Sequence, residues 1–335
     1  MTSPSPASAP AARMPVQLRP LSTGELIDRG FSLYRANFAG LLLLSLTCQL
    51  TPLLAGQALD SVVHLAPWRA GTLAGLGTSF TASVLTPMVW VLGEIAKFCF
   101  EVVMTLYLAD AYLGQSPSIK EAFRRLRGKI GASAQTCLII MAVVALTLIF
   151  PVLTAGAAFF YWKLHPPESF MATVLLAVAI MLALVASFVP AIVILMRVMI
   201  TVPAVAVENL GGWKAVRRSS ELVRYDPGLG FFYWGETRLS LLLLPLFAIE
   251  SLALFITATP LWLHEVNDIL RHGSIGQITA PPESVVILSQ ILVLLSSSLI
   301  FPLYIIAFTL FYYDVRIRRE GFDLEFMAGR MEGGG

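Results

Sequence analysis

Six long apolar stretches, at about residues 38–58, 72–112, 131–162, 169–208, 232–262 and 284–315, alternate with short polar connections along the chain. Each is long enough, at roughly 20 residues or more, for an α-helix to cross a hydrocarbon core of about 30 Å. The pattern therefore predicts an all-α polytopic membrane protein with six transmembrane helices. The even-numbered stretches are too long for a simple crossing. Residues 169–208 would extend about 60 Å as one helix at ~1.5 Å per residue. Each even stretch contains a proline, Pro87, Pro190 or Pro302, and proline removes a backbone hydrogen bond and kinks a helix. Long, kinked, tilted helices are expected. A re-entrant piece at 72–88 is the alternative for the second stretch, but the excess length recurs in all three even stretches.

A second periodicity runs between the apolar stretches. The segments 25-ELIDRGFSLYR, 121-EAFRRLRGKIG and 214-KAVRRSSELVR match one another, with Arg29, Arg125 and Arg218 in register. In the second, Ile119, Ala122, Phe123, Leu126 and Ile130 recur at helical spacing to form one apolar face. In the third, Trp213, Val216, Ser220 and Val223 make a weaker stripe. Ser22 with Glu25, and Ser118 with Glu121, fit the capping box that starts a helix. The even stretches also end alike: 101-EVVMTLYLADAY, 197-RVMITVPAVAVE and 305-IIAFTLFYYDVR align Thr105, Thr201 and Thr309. The expected unit is a cytoplasmic amphipathic interfacial helix leading two spans, used three times as pseudo-repeats at about 20–113, 114–209 and 210–318. A partial fourth copy, 319-REGFDLEFMAGRM, follows. A single membrane domain over 20–325 is flanked by a tail at 1–19, whose first residues are rich in Ser, Pro and Ala and read as disordered, and by a flexible end at 326–335. No apolar core follows the N-terminus closely enough for a secretory signal.

Composition agrees with a membrane class: 57% of the residues are hydrophobic and 13% charged, where soluble domains average about 25% charged. The net charge of +2 says little; its distribution says more. Arg13, Arg19, Arg29 and Arg35 precede the first stretch. Lys120, Arg124, Arg125, Arg127 and Lys129 fill the second connection, and Lys214, Arg217, Arg218 and Arg224 the fourth. Arg316, Arg318, Arg319 and Arg330 follow the last stretch, while the opposite connections carry only Arg69, Lys163 and Arg271. The excess of Lys and Arg places both termini in the cytoplasm. Trp68, Trp162 and Trp262 mark the outer boundary, and Trp213 and Trp234 the inner one. The basic residues Arg29, Arg35, Lys120, Arg124, Arg125, Arg127, Lys129, Lys214, Arg217, Arg218 and Arg224 are expected to meet anionic lipid headgroups. Cys48, Cys99 and Cys137 all lie in apolar surroundings and suggest no disulfide framework.

The stretch 20-PLSTGELIDRGFSLYRANF-38, continued by 207-VENLGGWKAVRRSSELVR-224 and 312-YYDVRIRREGFDLE-325, resembles a bacterial family named for the membrane domain of glycerophosphoryl diester phosphodiesterase. The resemblance covers most of the chain from residue 20 on. It implies a six-span bacterial inner-membrane protein of a family to which no activity is assigned. The phosphodiesterase's catalytic barrel is a separate domain built around an HRG motif. The nearest echo here is 271-RHG-273, in the wrong order and in a short connection, so no catalytic residue is carried over.

The remaining candidates for chemistry are the intramembrane charges Glu94, Lys97, Glu101, Arg197 and Glu250. Glu101 and Arg197 occupy equivalent repeat positions at equal depth and are expected to pair; Lys97 and Glu250 are a second candidate pair. Glu236 and Arg238 are expected to snorkel to the inner interface. The pairs set helix register on one reading and form a polar conduit on the other. His64, His165, His264 and His272 fall in the outer connections without metal-ligand spacing. Gly211 and Gly212 open a basic helix but lack the Lys and Ser/Thr of a phosphate loop, and no nucleophile elbow occurs. No cofactor, metal or nucleic-acid partner is expected.

Three functional readings follow. The leading one is a non-enzymatic inner-membrane scaffold or accessory protein, its basic helices on anionic lipid and holding a membrane-protein partner or a second copy. The second is a transporter or lipid-translocating protein using the intramembrane charges, and the third an intramembrane lipid-modifying enzyme. A scaffold calls for a dry bundle. A transporter calls for a cavity that reaches those charges.

Overall fold

The computed structural model describes residues 19–65, 73–164, 169–224, 235–272, 281–322 and 324, with side chains except those of 58–65, 73–83 and 272. The expectations for the two tails, Trp68, Trp234, His165 and the side chains of His64 and His272 lie outside what is described. Among the described residues every regular element is helical: α1 (Thr23–Ala36), α2 (Phe38–Leu65), α3 (Leu73–Tyr112), α4 (Ile119–Arg127), α5 (Ile130–Leu164), α6 (Phe170–Val198), α7 (Thr201–Glu208), α8 (Trp213–Val223), α9 (Gly235–His272) and α10 (Glu283–Glu320). Among the described residues, five segments are long and apolar enough to cross a membrane: Phe38–Gln57, Ile130–Leu164, Phe170–Glu208, Gly235–Arg271 and Glu283–Glu320. A further long helix, α3, has 40 residues and concentrates Glu94, Lys97 and Glu101 in its middle. It is one continuous helix from Leu73, so 72–88 is not a separate re-entrant piece.

The 169–208 stretch breaks, but not at Pro190, which α6 absorbs. The break falls at Met199–Ile200, between α6 and α7. Pro203 explains its place: the ring lacks the N–H that would bond the Met199 carbonyl and crowds that carbonyl four residues back. The carbonyls freed there find side chains. Thr201 Oγ1 donates to Val198 O at 2.6 Å, and Ser219 Oγ of α8 donates to Arg197 O at 2.7 Å.

The polar connections fold as short helices at one end of the long ones. α1 opens with a complete capping box, Ser22 N donating to Glu25 Oε2 at 2.8 Å and Glu25 N to Ser22 Oγ at 3.3 Å. The box expected at α4 does not form: Ser118 makes no side-chain cap bond. Glu121 instead accepts from Arg124 at 2.9 Å, a charge-assisted bond stronger than one to a neutral backbone amide. α4 buries Ala122 and Leu126, while Phe123 and Ile130 stay exposed. α8 buries Ala215, Val216, Ser219, Leu222 and Val223 and leaves Trp213 exposed. Its inward face is thus turned away from the stripe expected through Trp213 and Ser220. The turn into α8 needs its glycines. Gly212 sits at φ +61°, and a Cβ on Gly211 would fall 2.8 Å from Ala132 Cβ of α5.

α3 and α10 are the most embraced helices. α10 packs on α9, α2 and α1, and α3 on α2, α7, α5 and α4. The core lies toward their C-terminal ends, around Val102, Met104, Leu108, Ile306, Leu310 and Phe311. Thr105, Thr201 and Thr309 are all buried within it. Farther from the short helices, α5, α6 and α9 expose large apolar side chains such as Leu146, Phe160, Leu182 and Phe255. α9 continues past residue 262, so His264 stands on a helix, 3.9 Å from Asp268 one turn on.

Candidate functional site

Two groups of charged residues occupy the bundle. The first is at the end carrying α1, α4 and α8. Asp314, 1% exposed, accepts from Arg238 Nη2 at 2.8 Å, from Arg318 Nε at 2.9 Å and from the Leu21 backbone N at 2.7 Å. Both arginines also donate to Leu21 O, at 3.2 and 2.6 Å. This carboxylate therefore fixes α9 and α10 to the chain entering α1. Glu208, the last residue of α7, accepts from Arg218 Nε at 3.0 and 2.9 Å and from Tyr312 Oη at 2.6 Å. Arg218 continues to Glu320 at 2.6 Å. Burial works against the Arg218 charge, but the bonds to Glu320 and Glu208 outweigh it and raise its pKa. Asp110, near the end of α3, pairs with Arg125 of α4. Lys129 donates to Ala206 O, in the last turn of α7, where a cation meets the negative end of the helix dipole. Burial, then Arg125, lowers the Lys129 pKa.

These contacts sort the residues expected on lipid headgroups. Arg29, Arg35, Lys120, Arg124, Arg127, Lys214, Arg217 and Arg224 are exposed. Arg125, Lys129 and Arg218 turn inward to protein acceptors. Arg29 also stands 6.0 Å from the Tyr112 ring. Asp110, Glu208 and Asp314 were not singled out from the sequence. One signal was there: Asp110 and Asp314 each stand five residues after an aligned threonine.

The second group lines a lateral cavity of about 850 Å³ walled by α3, α5, the α6–α7 break and α10. Its lining is apolar, including Trp90, Phe98, Met141, Leu148, Val202 and Phe301, with two exceptions, Glu94 and Glu101 of α3. They are seven residues apart, two helical turns, and so share a face about 10 Å apart. Neither makes a hydrogen bond or salt bridge among the described residues.

The two expected intramembrane pairs do not form. Arg197 Nε donates to Glu236 Oε1 of α9 at 2.8 Å, not to Glu101. The reason is placement: α6 packs on α5, α8 and α9, and α7 beyond the break is what meets α3. Lys97 does not meet Glu250; its ammonium lies 5.6 Å from the Phe301 ring centre. Glu250 accepts instead from Tyr304 Oη at 2.6 Å. Glu236 and Arg238 are held in ion pairs rather than left to snorkel. Among the described residues no group of three His, Cys, Asp or Glu is placed to hold a metal ion. Cys48, Cys99 and Cys137 are free thiols.

No protein-family model, curated protein or solved structure matches the chain.

Proposed function

We propose that this is a bacterial inner-membrane carrier that admits an amphiphilic molecule from the bilayer into the lateral cavity. This is the transporter or lipid-translocating reading. One observation carries it: an apolar cavity of about 850 Å³ contains two carboxylates without a hydrogen bond or salt bridge among the described residues. A scaffold calls for a dry, filled bundle and gives no reason for that space or those charges. Ligand sites for molecules of this kind are concave and mostly apolar, with a few polar groups that fix orientation.

In this reading α3 is the sixth span, and both termini are cytoplasmic. The three pseudo-repeats each carry a buried threonine near the close of their second span, Thr105, Thr201 or Thr309. The exposed cations of α1, α4 and α8 rest on anionic lipid, while the inward-turned ones frame the bundle. The kinship with the membrane domain of glycerophosphoryl diester phosphodiesterases is kept as a proposal, on the residue motifs alone.

Native mass spectrometry of the protein released from nanodiscs tests the reading. The parent is expected to carry one tightly held amphiphile. Ala145→Trp, which fills the cavity from an exposed position of α5, is expected to lose it while its helical signal and elution volume stay the same. A parent without bound amphiphile, or binding indifferent to Ala145→Trp, removes the reading. A co-purifying protein held by the basic helices in place of an amphiphile returns the scaffold.

A further inference from the structure

We infer that the lateral cavity selects a lipophilic cation, a positive charge carried on an apolar body. The inference rests on the carrier reading above and names its substrate class.

Glu94 and Glu101 line the cavity from one face of α3, and neither has a hydrogen-bond or salt-bridge partner among the described residues. Lys97 is three residues from one and four from the other, close enough on a helix to influence both. Its ammonium, however, is directed to the Phe301 ring at 5.6 Å. Two acidic side chains and one ammonium stand on this stretch of α3, an excess of one acid. The nearest guanidinium of α6, Arg197, is already committed to Glu236. A charge in apolar surroundings is costly unless paired, and at the other end of the bundle Asp110, Glu208 and Asp314 are each paired with arginine. Here no arginine, salt bridge or hydrogen bond of the protein closes on the acids among the described residues, and the complement we infer is a cation brought by the ligand.

The walls specify what carries it. Trp90, Phe98, Phe301 and Phe308 bring aromatic rings to the lining of the same cavity as the two acids. Rings stabilise a cation through their faces and also bury an apolar body. A small hydrated ion would gain nothing from such a lining, and an anionic amphiphile would meet two like charges. A cation spread over, or flanked by, apolar groups satisfies walls and carboxylates together.

Tetraphenylphosphonium, its anionic isostere tetraphenylborate and neutral triphenylphosphine oxide are suitable probes, with equilibrium binding measured on the whole protein in nanodiscs. The cation is expected to bind at least about 10-fold more tightly than either other probe. Glu94→Gln and Glu101→Gln are each expected to weaken it by about 10- to 100-fold, the worth of one charge-assisted contact, and to leave the neutral probe unchanged. The selectivity of the parent needs no variant, so a variant that fails to fold does not obscure the result. Equal binding of all three probes, lost in Ala145→Trp, overturns cation selectivity and leaves the carrier reading standing. Absence of binding by every probe overturns both.

Discussion

α3 holds carboxylates in opposite circumstances at its C-terminal end and in its middle. Asp110, beside α4, is ion-paired with Arg125. Glu94 and Glu101, two to four turns earlier, line an apolar cavity with no hydrogen bond or salt bridge among the described residues. The same contrast separates Glu208 and Asp314 from the cavity pair. Taking charges out of water is recovered only where geometry and hydrogen bonding are good, and around Asp314 two guanidinium groups and a backbone N–H provide that. Acids that fix the architecture come matched by the protein. Acids left unmatched by it are available to something else.

Breaking the most buried match has the largest expected effect. Asp314→Asn leaves Arg238 and Arg318 facing an uncharged group and is expected to cost about 3–5 kcal/mol, read as a shift in denaturant unfolding in detergent. Stability equal to the parent's would show that the paired end is not what holds α9 and α10 to α1. Glu208 is less deeply buried and shares its load. Glu208→Gln is expected to cost about 1.5–3 kcal/mol. Tyr312→Phe should cost less in that background than in the parent, because the Gln amide oxygen accepts the Tyr312 hydrogen bond without the carboxylate's charge; full additivity in a double-mutant cycle would show that Glu208 and Tyr312 are not coupled.

A smaller effect belongs to the cap of α1, where Ser22→Ala is expected to cost about 1 kcal/mol. The Ser22 backbone N–H, with Arg19 and the Ser22 hydroxyl, lowers the Glu25 pKa from 4.5 to about 2. A lowered carboxylate pKa stabilises the fold fully above pH 4.5, and the contribution fades as pH falls through about 2. The stability gap between the parent and Glu25→Gln should therefore close over that window; a gap constant down to pH 2 would exclude the box as its source.

The smallest expected effect sharpens the comparison most. Glu94→Gln and Glu101→Gln remove charges without stranding a salt-bridge partner, and should shift stability by less than about 0.5 kcal/mol or raise it. A loss as large as that of Glu208→Gln would mean that the cavity acids are structural after all.

Local features were legible and relative placement was not. Helical periodicity gave the α4 segment, and the Ser-x-x-Glu spacing gave the α1 cap, because both depend on residues a turn apart. The second cap does not form, and Glu121 pairs with Arg124 and Arg125 on its own helix, contacts that lie outside the four-residue motif. Proline content predicted kinked helices and did not predict the break at Met199–Ile200. Pro190 is absorbed by α6, and the backbone near Pro203 yields where Thr201 and Ser219 can take up the freed carbonyls. Equal depth suggested Glu101 with Arg197, yet depth fixes only one coordinate. Which helix stands beside which is the other, and it sends Arg197 to α9.

The sequence by itself determined what depends on neighbours along the chain: the helical character, most of the stretches apolar enough for a bilayer, and where the basic residues cluster. Only the tertiary structure decided which charges are matched. That outcome depends on side chains brought together across hundreds of residues, as when Leu21 meets Asp314, and on the space left where α6 breaks and α7 packs on α3. A cavity is the part of the packing that no element fills, so no single stretch of sequence encodes it.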